Sequence, residues 1–192
     1  MNVFITSTMS DSGKTVIVGA LLRILSTKGL HASPFKAQNM SLNSYPSIEG
    51  GEIALAQAMQ AYVAGLMPSI YHNPVLIKPM LNDKAEYIIL GKPRAQLSFN
   101  EYLSDNNAIR RLAINAIKTS IHKLTEEYDV IIGEGAGSAY EPNLAGKDLA
   151  NFRPAEWLGA NVFVVLDIDR GWLIYSGAWL NEVITAEVEE VS

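Results

Sequence analysis

The chain opens on a short apolar run, Asn2-Val3-Phe4-Ile5-Thr6, turns polar, and then takes up a helical apolar period from Val16 to Leu25. The run reads as a buried strand. Lys28-Gly29 supplies a helix stop. Residues 30–36 read as a second strand ending in Pro34-Phe35-Lys36. Strand, loop, helix and strand in that order form the core unit of a parallel-sheet fold.

Residues 37–50 are rich in Asn and Ser and read as a loop, whereas the Ala-rich stretch 51–66 predicts a helix. Asn73 to Pro79 holds an apolar run between two prolines, which places it at a sheet edge or strand end, and Tyr87 to Leu90 reads as another strand. The longest helical pattern spans 106–126, with Ile109, Leu112, Ala113, Ala116, Ile117, Ile121 and Leu124 on one face. Val130-Ile131-Ile132 is continuously apolar, as a parallel strand covered on both faces requires. A Gly- and Ala-rich loop from Gly133 to Lys147, a short helix over 148–158, a strand at Val162 to Leu166 and a helical remainder complete the expectation. The predicted class is α/β, a mostly parallel sheet flanked by helices, in one domain without an internal linker.

Composition narrows the field. Of 192 residues, 48% are hydrophobic and 18% charged, which fits a globular domain and excludes a disordered chain. The net charge of -5 argues against a nucleic-acid partner. No cysteine is present, so neither a disulfide nor a thiolate nucleophile or metal site can form within this chain. The N-terminus lacks a basic leader, and no apolar run approaches the ~18 residues of a membrane span. A cytoplasmic protein without a membrane partner is expected.

The chemistry concentrates at Ser7-Thr8-Met9-Ser10-Asp11-Ser12-Gly13-Lys14-Thr15, between a predicted strand and a predicted helix. That is the setting of a P-loop. Backbone N–H groups and the helix N-terminus would hold phosphates through Ser10, Asp11, Ser12 and Gly13; Lys14 would neutralise them and Thr15 would ligate Mg²⁺. The standard motif has Gly where Thr8 stands, and a capped helix after a turn is the plainer reading of the same residues.

The next segment, Pro34-Phe35-Lys36-Ala37-Gln38-Asn39-Met40-Ser41-Leu42-Asn43-Ser44, resembles the stretch after the second strand in cobyric acid synthases. In the same order follow Gly50-Gly51-Glu52-Ile53 with Ala56-Gln57-Ala58, Asn73 to Pro79, Glu134-Gly135-Ala136-Gly137-Ser138, Asp148-Leu149-Ala150-Asn151 and Asp167-Ile168-Asp169-Arg170-Gly171. The resemblance runs from about residue 3 to 171. It implies a dethiobiotin synthetase-like P-loop fold, in which the first loop glycine lies where this chain has Ser7.

It also implies an activity: ATP- and glutamine-dependent amidation of carboxylates on adenosylcobyrinic acid a,c-diamide, a step of cobalamin biosynthesis. ATP would convert the carboxylate to an acyl phosphate for attack by ammonia. ATP and Mg²⁺ are the implied cofactors and a corrinoid the implied substrate. The ammonia would come from a glutaminase domain or subunit, and a homodimer is left open.

On this resemblance Lys14, Lys36 and Asp148 are candidate catalytic residues. Thr15, Glu52 and Glu134 are candidate Mg²⁺ ligands, and Gln38, Asn39 and Asn43 candidate contacts to the corrinoid. Each also has a structural reading. Glu52 could be a first-turn glutamate, Lys36 a solvated strand-end lysine, Asp11 and Asp148 helix caps, and the amides turn formers. Asp167 and Asp169 read as supporting or structural. His31, His72 and His122 lack metal-ligand spacing, and Trp157, Trp172 and Trp179 read as packing residues.

The pattern is departed from at Ser7 and at Trp172, where the family has Gly. A later segment that reads adenine and the glutaminase domain are both missing from the 192 residues, so the expectation is one ATP-binding synthetase domain, incomplete at its C-terminus. The alternatives are another dethiobiotin synthetase-like ligase and a non-enzymatic P-loop ATPase switch. Such switches carry a second lysine early in the loop, where Ser7 and Thr8 stand here.

Overall fold

The computed structural model of the chain describes residues 1–104, 106–139 and 147–166. The expected segment at Asp167 to Gly171, the helical remainder, Trp172 and Trp179 lie outside the described residues. The order of elements is β1 (Asn2–Ser7), α1 (Lys14–Thr27), β2 (Ala32–Phe35), β3 (Gln38–Met40), β4 (Ser44–Pro46), β5 (Glu52–Ala54), α2 (Leu55–Val63) and β6 (Val75–Pro79). There follow β7 (Lys84–Ile89), β8 (Lys92–Ser98), α3 (Phe99–Leu103), α4 (Ala108–Glu127), β9 (Val130–Glu134), α5 (Phe152–Leu158) and β10 (Ala160–Val165).

Among the described residues β10-β1-β9-β2 form a parallel sheet with β1 and β9 inside. Successive residues of a strand face opposite sides, and the core divides accordingly. Phe4 and Ile131 pack with Ala113, Ile117 and Leu124 of α4 and Leu158 of α5. Their neighbours Ile5 and Ile132 pack with Val18 and Leu22 of α1. Helices therefore cover both faces, and the expected parallel α/β class is observed. Pro34, which cannot donate to a ladder, sits in the edge strand β2.

A second sheet of order β3-β6-β7-β8 leans on the first. It is mixed: β3 runs parallel to β6, while β6–β7 and β7–β8 are antiparallel. Its inward residues Val75, Ile77, Tyr87 and Ile89 join the core shared with α4. Only Lys36 and Ala37 separate β2 of one sheet from β3 of the other.

Several expectations are corrected. The loop expected at 37–50 contains β3 and β4, and the helix expected over 51–66 begins only at Leu55, because Glu52–Ala54 pairs antiparallel with Ser44–Pro46. The strand expected at 87–90 starts at Lys84. β8 and α3 were not expected; β8 is a polar, mostly exposed edge strand, and α3 is started by a Ser98–Glu101 capping box. Leu112 is exposed rather than on the buried face of α4, where Arg110 and Ser120 lie instead. α5 begins at Phe152 rather than 148. No helix among the described residues is long and apolar enough to cross a membrane.

Candidate active site

β1 ends at Ser7 and α1 begins at Lys14, so the intervening loop lies at the carboxyl end of the parallel sheet, where ligands bind in open α/β folds. Asp11 and Gly13 adopt left-handed backbone with φ of 58° and 86°. Gly13 is the N-cap of α1, and no side chain caps it, Asp11 included. Val16 N–H turns back to Gly13 O at 3.1 Å, which leaves the amides of Lys14 and Thr15 without an intrahelical acceptor, and both residues line a cavity of about 860 Å³. Ser10 to Val16 line one side, Lys36 and Gln38 to Ser41 a second, Glu134 with Ala136 to Ala139 the floor, and Asp148, Ala150 and Asn151 the far wall.

Ser7 takes a role that glycine could not. Its hydroxyl donates to Met9 O at 2.6 Å and accepts from Lys14 Nζ at 2.6 Å. Lys14 Nζ also donates to Met9 O and Gly137 O at 2.9 and 3.2 Å, which lays the side chain across the loop. Burial and the nearby Lys36 cation hold its pKa below the usual lysine range, against the opposing pull of Glu134 and Asp11. An anionic group in the cavity would relieve that cost.

Glu134, at the end of β9, is the hub. Its Oε1 accepts from Lys36 Nζ at 2.7 Å and from Thr15 Oγ1 at 2.8 Å. Its Oε2 accepts from Gln60 Nε2 at 2.6 Å. The residue is 1% exposed, and the Lys36 ammonium supplies the counter-charge such burial demands. Lys36 is thus a buried ion-pair partner rather than a solvated strand-end lysine.

Behind the floor, Thr6 Oγ1 donates to Asn151 Oδ1 at 2.7 Å, and Asn151 Nδ2 ties Ala136 O and Ser138 O. Asp148 accepts from the backbone N–H groups of Ala150, Asn151 and Phe152 at 2.8, 2.8 and 3.0 Å. That is a helix-entry cap on the cavity wall, and burial raises its pKa despite those amides and Arg153.

Of the substrate candidates, Gln38 and Asn39 line the cavity. Gln38 Oε1 accepts from Tyr102 OH at 2.9 Å, and Asn39 Nδ2 donates to Gln57 Oε1 at 2.8 Å. Asn43 lies instead in an adjoining hollow of about 420 Å³ with Leu55, Met59 and Val63. Glu52 does not line the main cavity; its carboxylate pairs with Lys78, whose ammonium lowers its pKa against the effect of burial. The structure thus gathers Ser10 to Thr15, Lys36, Gln38, Asn39, Glu134 and Asp148, and leaves Asn43 and Glu52 outside.

Gln57, quoted from the sequence only within the resembling segment and given no role, and Gln60, not named there, belong to the same network; Gln57 Nε2 donates to Gln60 Oε1 at 3.3 Å. Their signal is a pair of amides on the buried, alanine-rich face of α2.

Mg²⁺ binds through one or two carboxylates together with phosphate oxygens and water. Thr15 Oγ1 and Glu134 Oε1 present such a hydroxyl and carboxylate side by side. Ser12 Oγ, buried in the cavity wall, has no hydrogen-bond partner among the described residues, as fits a donor kept for a ligand. Among those residues no group of three or more His, Cys, Asp or Glu could hold a metal alone. The donor set therefore fits an ion shared with phosphate and not an all-protein cage.

Comparison with known proteins identifies the family. The family model of the CobQ/CobB/MinD/ParA nucleotide binding domain matches residues 3–151. A probable cobyric acid synthase of Methanococcus voltae is 46% identical over 174 residues, covering 91% of this chain and 74% of that protein. Proteins of the same description from Methanococcus maripaludis strain C6 and Methanosphaerula palustris are 47% and 43% identical over 88% and 89% of the chain. This chain spans about a third of the length of those two, at 34% each. The chain belongs to the cobyric acid synthase family through its nucleotide-binding domain.

Proposed function

We propose that this chain binds Mg-ATP and uses it to activate side-chain carboxylates of a corrinoid, the a,c-diamide of adenosylcobyrinic acid, for amidation to cobyric acid. The observation that carries the reading is that Thr15 and Lys36 both bond the buried Glu134, beside Lys14, in a cavity whose other wall is the Gln38–Ser41 segment. Phosphate-binding and carboxylate-binding groups thus face one space.

In this reading the loop amides of residues 10–15 and Lys14 hold the β- and γ-phosphates. A substrate carboxylate oxygen attacks the γ-phosphorus, the bond to the β-bridging oxygen breaks, and ADP leaves. Ammonia then attacks the acyl carbon, inorganic phosphate departs and a proton is lost, leaving the amide. The protein has little covalent chemistry to perform, so positioning and charge neutralisation are its contribution. Lys14 exchanges its contacts with Ser7 and Met9 for phosphate oxygens. Thr15 and Glu134 would hold Mg²⁺, which when bound shields phosphate charge. Lys36, held by Glu134 at the cavity floor, faces the transferred phosphoryl group. Gln38 and Asn39 orient the carboxylate, and Asp148 positions the wall by fixing the turn into α5. Glutamine enters through ammonia made by a glutaminase domain or subunit.

Isothermal titration of Mg-ATP into the chain tests this, with Lys14→Ala as control. Binding lost in the variant, followed by amide formation from the corrinoid with added ammonium, supports the reading. Wild-type binding with no corrinoid-dependent ADP release would sink it.

A further inference from the structure

An ionised carboxylate only accepts hydrogen bonds, whereas an amide both donates and accepts. That asymmetry fixes the direction of every bond between Glu134 and Asn39. Gln60 must turn its nitrogen to Glu134, at 2.6 Å, which leaves Gln60 Oε1 as an acceptor. Gln57 must then donate to it, at 3.3 Å, leaving its own oxygen for Asn39 Nδ2 at 2.8 Å. Gln57 and Gln60 are both buried, at 0% and 3% exposure, so water cannot substitute for either partner without a cost. Gln60 and Gln57 sit one helical turn apart on α2, the spacing at which side chains meet.

We infer that Gln60 and Gln57 form a polarised relay through which Glu134, at the phosphate end of the cavity, sets the amide orientation of Asn39 at the opposite wall. They are positioning residues, since neither lines the main cavity. Asn39 spends one N–H on the relay and keeps its carbonyl and second N–H for a ligand. Anything that alters the demand at Glu134 is transmitted to what Asn39 presents, and the reverse holds by linkage. The consequence for nucleotide rests on the Mg-ATP reading above; the relay itself does not.

The test is a variant cycle on the full chain. Asn39→Asp places an acceptor-only group at the start of the relay. Gln57 and Gln60 must then reverse, aiming an amide oxygen at Glu134. Mg-ATP affinity by titration calorimetry is expected to fall at least tenfold in Asn39→Asp and about threefold in Gln57→Leu. In Asn39→Asp/Gln57→Leu the polarity conflict is gone, and affinity returns to within about threefold of Gln57→Leu alone. Simple repulsion between the introduced carboxylate and the nucleotide predicts additive losses instead, and that result would overturn the relay.

A second arm needs no nucleotide. In ¹⁵N spectra of the ligand-free chain, Gln60→Glu is expected to shift the Asn39 side-chain amide resonances, and to leave them unmoved when Gln57→Leu is already present. Unchanged Asn39 resonances in Gln60→Glu alone would overturn the relay. Absence of wild-type Mg-ATP binding would strike the proposed function while the spectra still decide the relay.

Discussion

Lys36 Nζ lies 2.7 Å from Glu134 Oε1 although 98 residues separate them, and both side chains are almost wholly buried. Adjacent strands bring them together: β2 and β9 pair in parallel, with Phe35 opposite Gly133, so the next residue of each strand emerges at the same level. Removing one partner of a buried pair strands the other charge. Lys36→Met is therefore expected to destabilise the fold by about 3–5 kcal/mol. Lys36→Met/Glu134→Gln should recover part of that loss in urea denaturation; a double variant no better than Lys36→Met would show that the charge is not what the lysine supports.

His72 gives the fold a pH dependence. It is buried just ahead of β6, its Nδ1 accepts from Ser69 N–H at 3.2 Å, and burial lowers its pKa from 6.5 to about 4 against the attraction of Glu49. A proton on Nδ1 would face another proton. Between those pH values the unfolded chain binds more protons than the folded one, so stability is full above about 6.5 and lost as pH falls towards 4. The loss is about 3 kcal/mol by linkage. His72→Asn keeps an acceptor for Ser69 N–H without the titration, and should flatten this part of the stability–pH curve measured by chemical denaturation.

Gly135 follows Glu134 directly, and a Cβ there would lie 2.0 Å from Asn151 Oδ1 and 2.9 Å from Thr6 Oγ1. Gly135→Ala must push Asn151 away, breaking its bond with Thr6 and slackening the ties to Ala136 O and Ser138 O. Overpacking of this kind costs about 1–3 kcal/mol. The melting temperature should drop, and Mg-ATP affinity should weaken with it because Gly137 O holds Lys14.

Asp148 distinguishes a cap from a group that acts on substrate. Asn retains one acceptor for the three amides, while Ala retains none. Melting temperatures should therefore fall in the order wild type, Asn, Ala, with a loss of about 1 kcal/mol or more for Ala. Equal melting temperatures in all three would show that the amide contacts carry no stability.

The parallel sheet was legible because its strands are short apolar runs set off by polar loops, and α1 and α4 because their apolar periods are long. β3 and β4 were not, since Gln38–Met40 and Ser44–Pro46 are polar and become strands only by pairing with β6 and β5. The Ala-rich period of 51–66 hid β5 for the same reason: pairing with β4 overrides local helix propensity. Within the site, Lys14 and Thr15 could be named from the loop motif between strand and helix, and Lys36 and Glu134 from their place at strand ends together with the family resemblance. Gln57 and Gln60 could not, because an amide's part depends on what lies opposite it. Glu52 was nominated on resemblance, yet its carboxylate meets Lys78, a partner that nothing local announces.

The two-residue passage from Phe35 to Gln38 works as a ruler. Lys36 leaves the first sheet and Gln38 enters the second with one small residue, the fully buried Ala37, between them. Chain length, more than side-chain choice, thus fixes the gap between the ammonium at the floor and the amides on the wall. A ligand gripped by both would have its own dimensions measured against a span that neither sheet can alter alone.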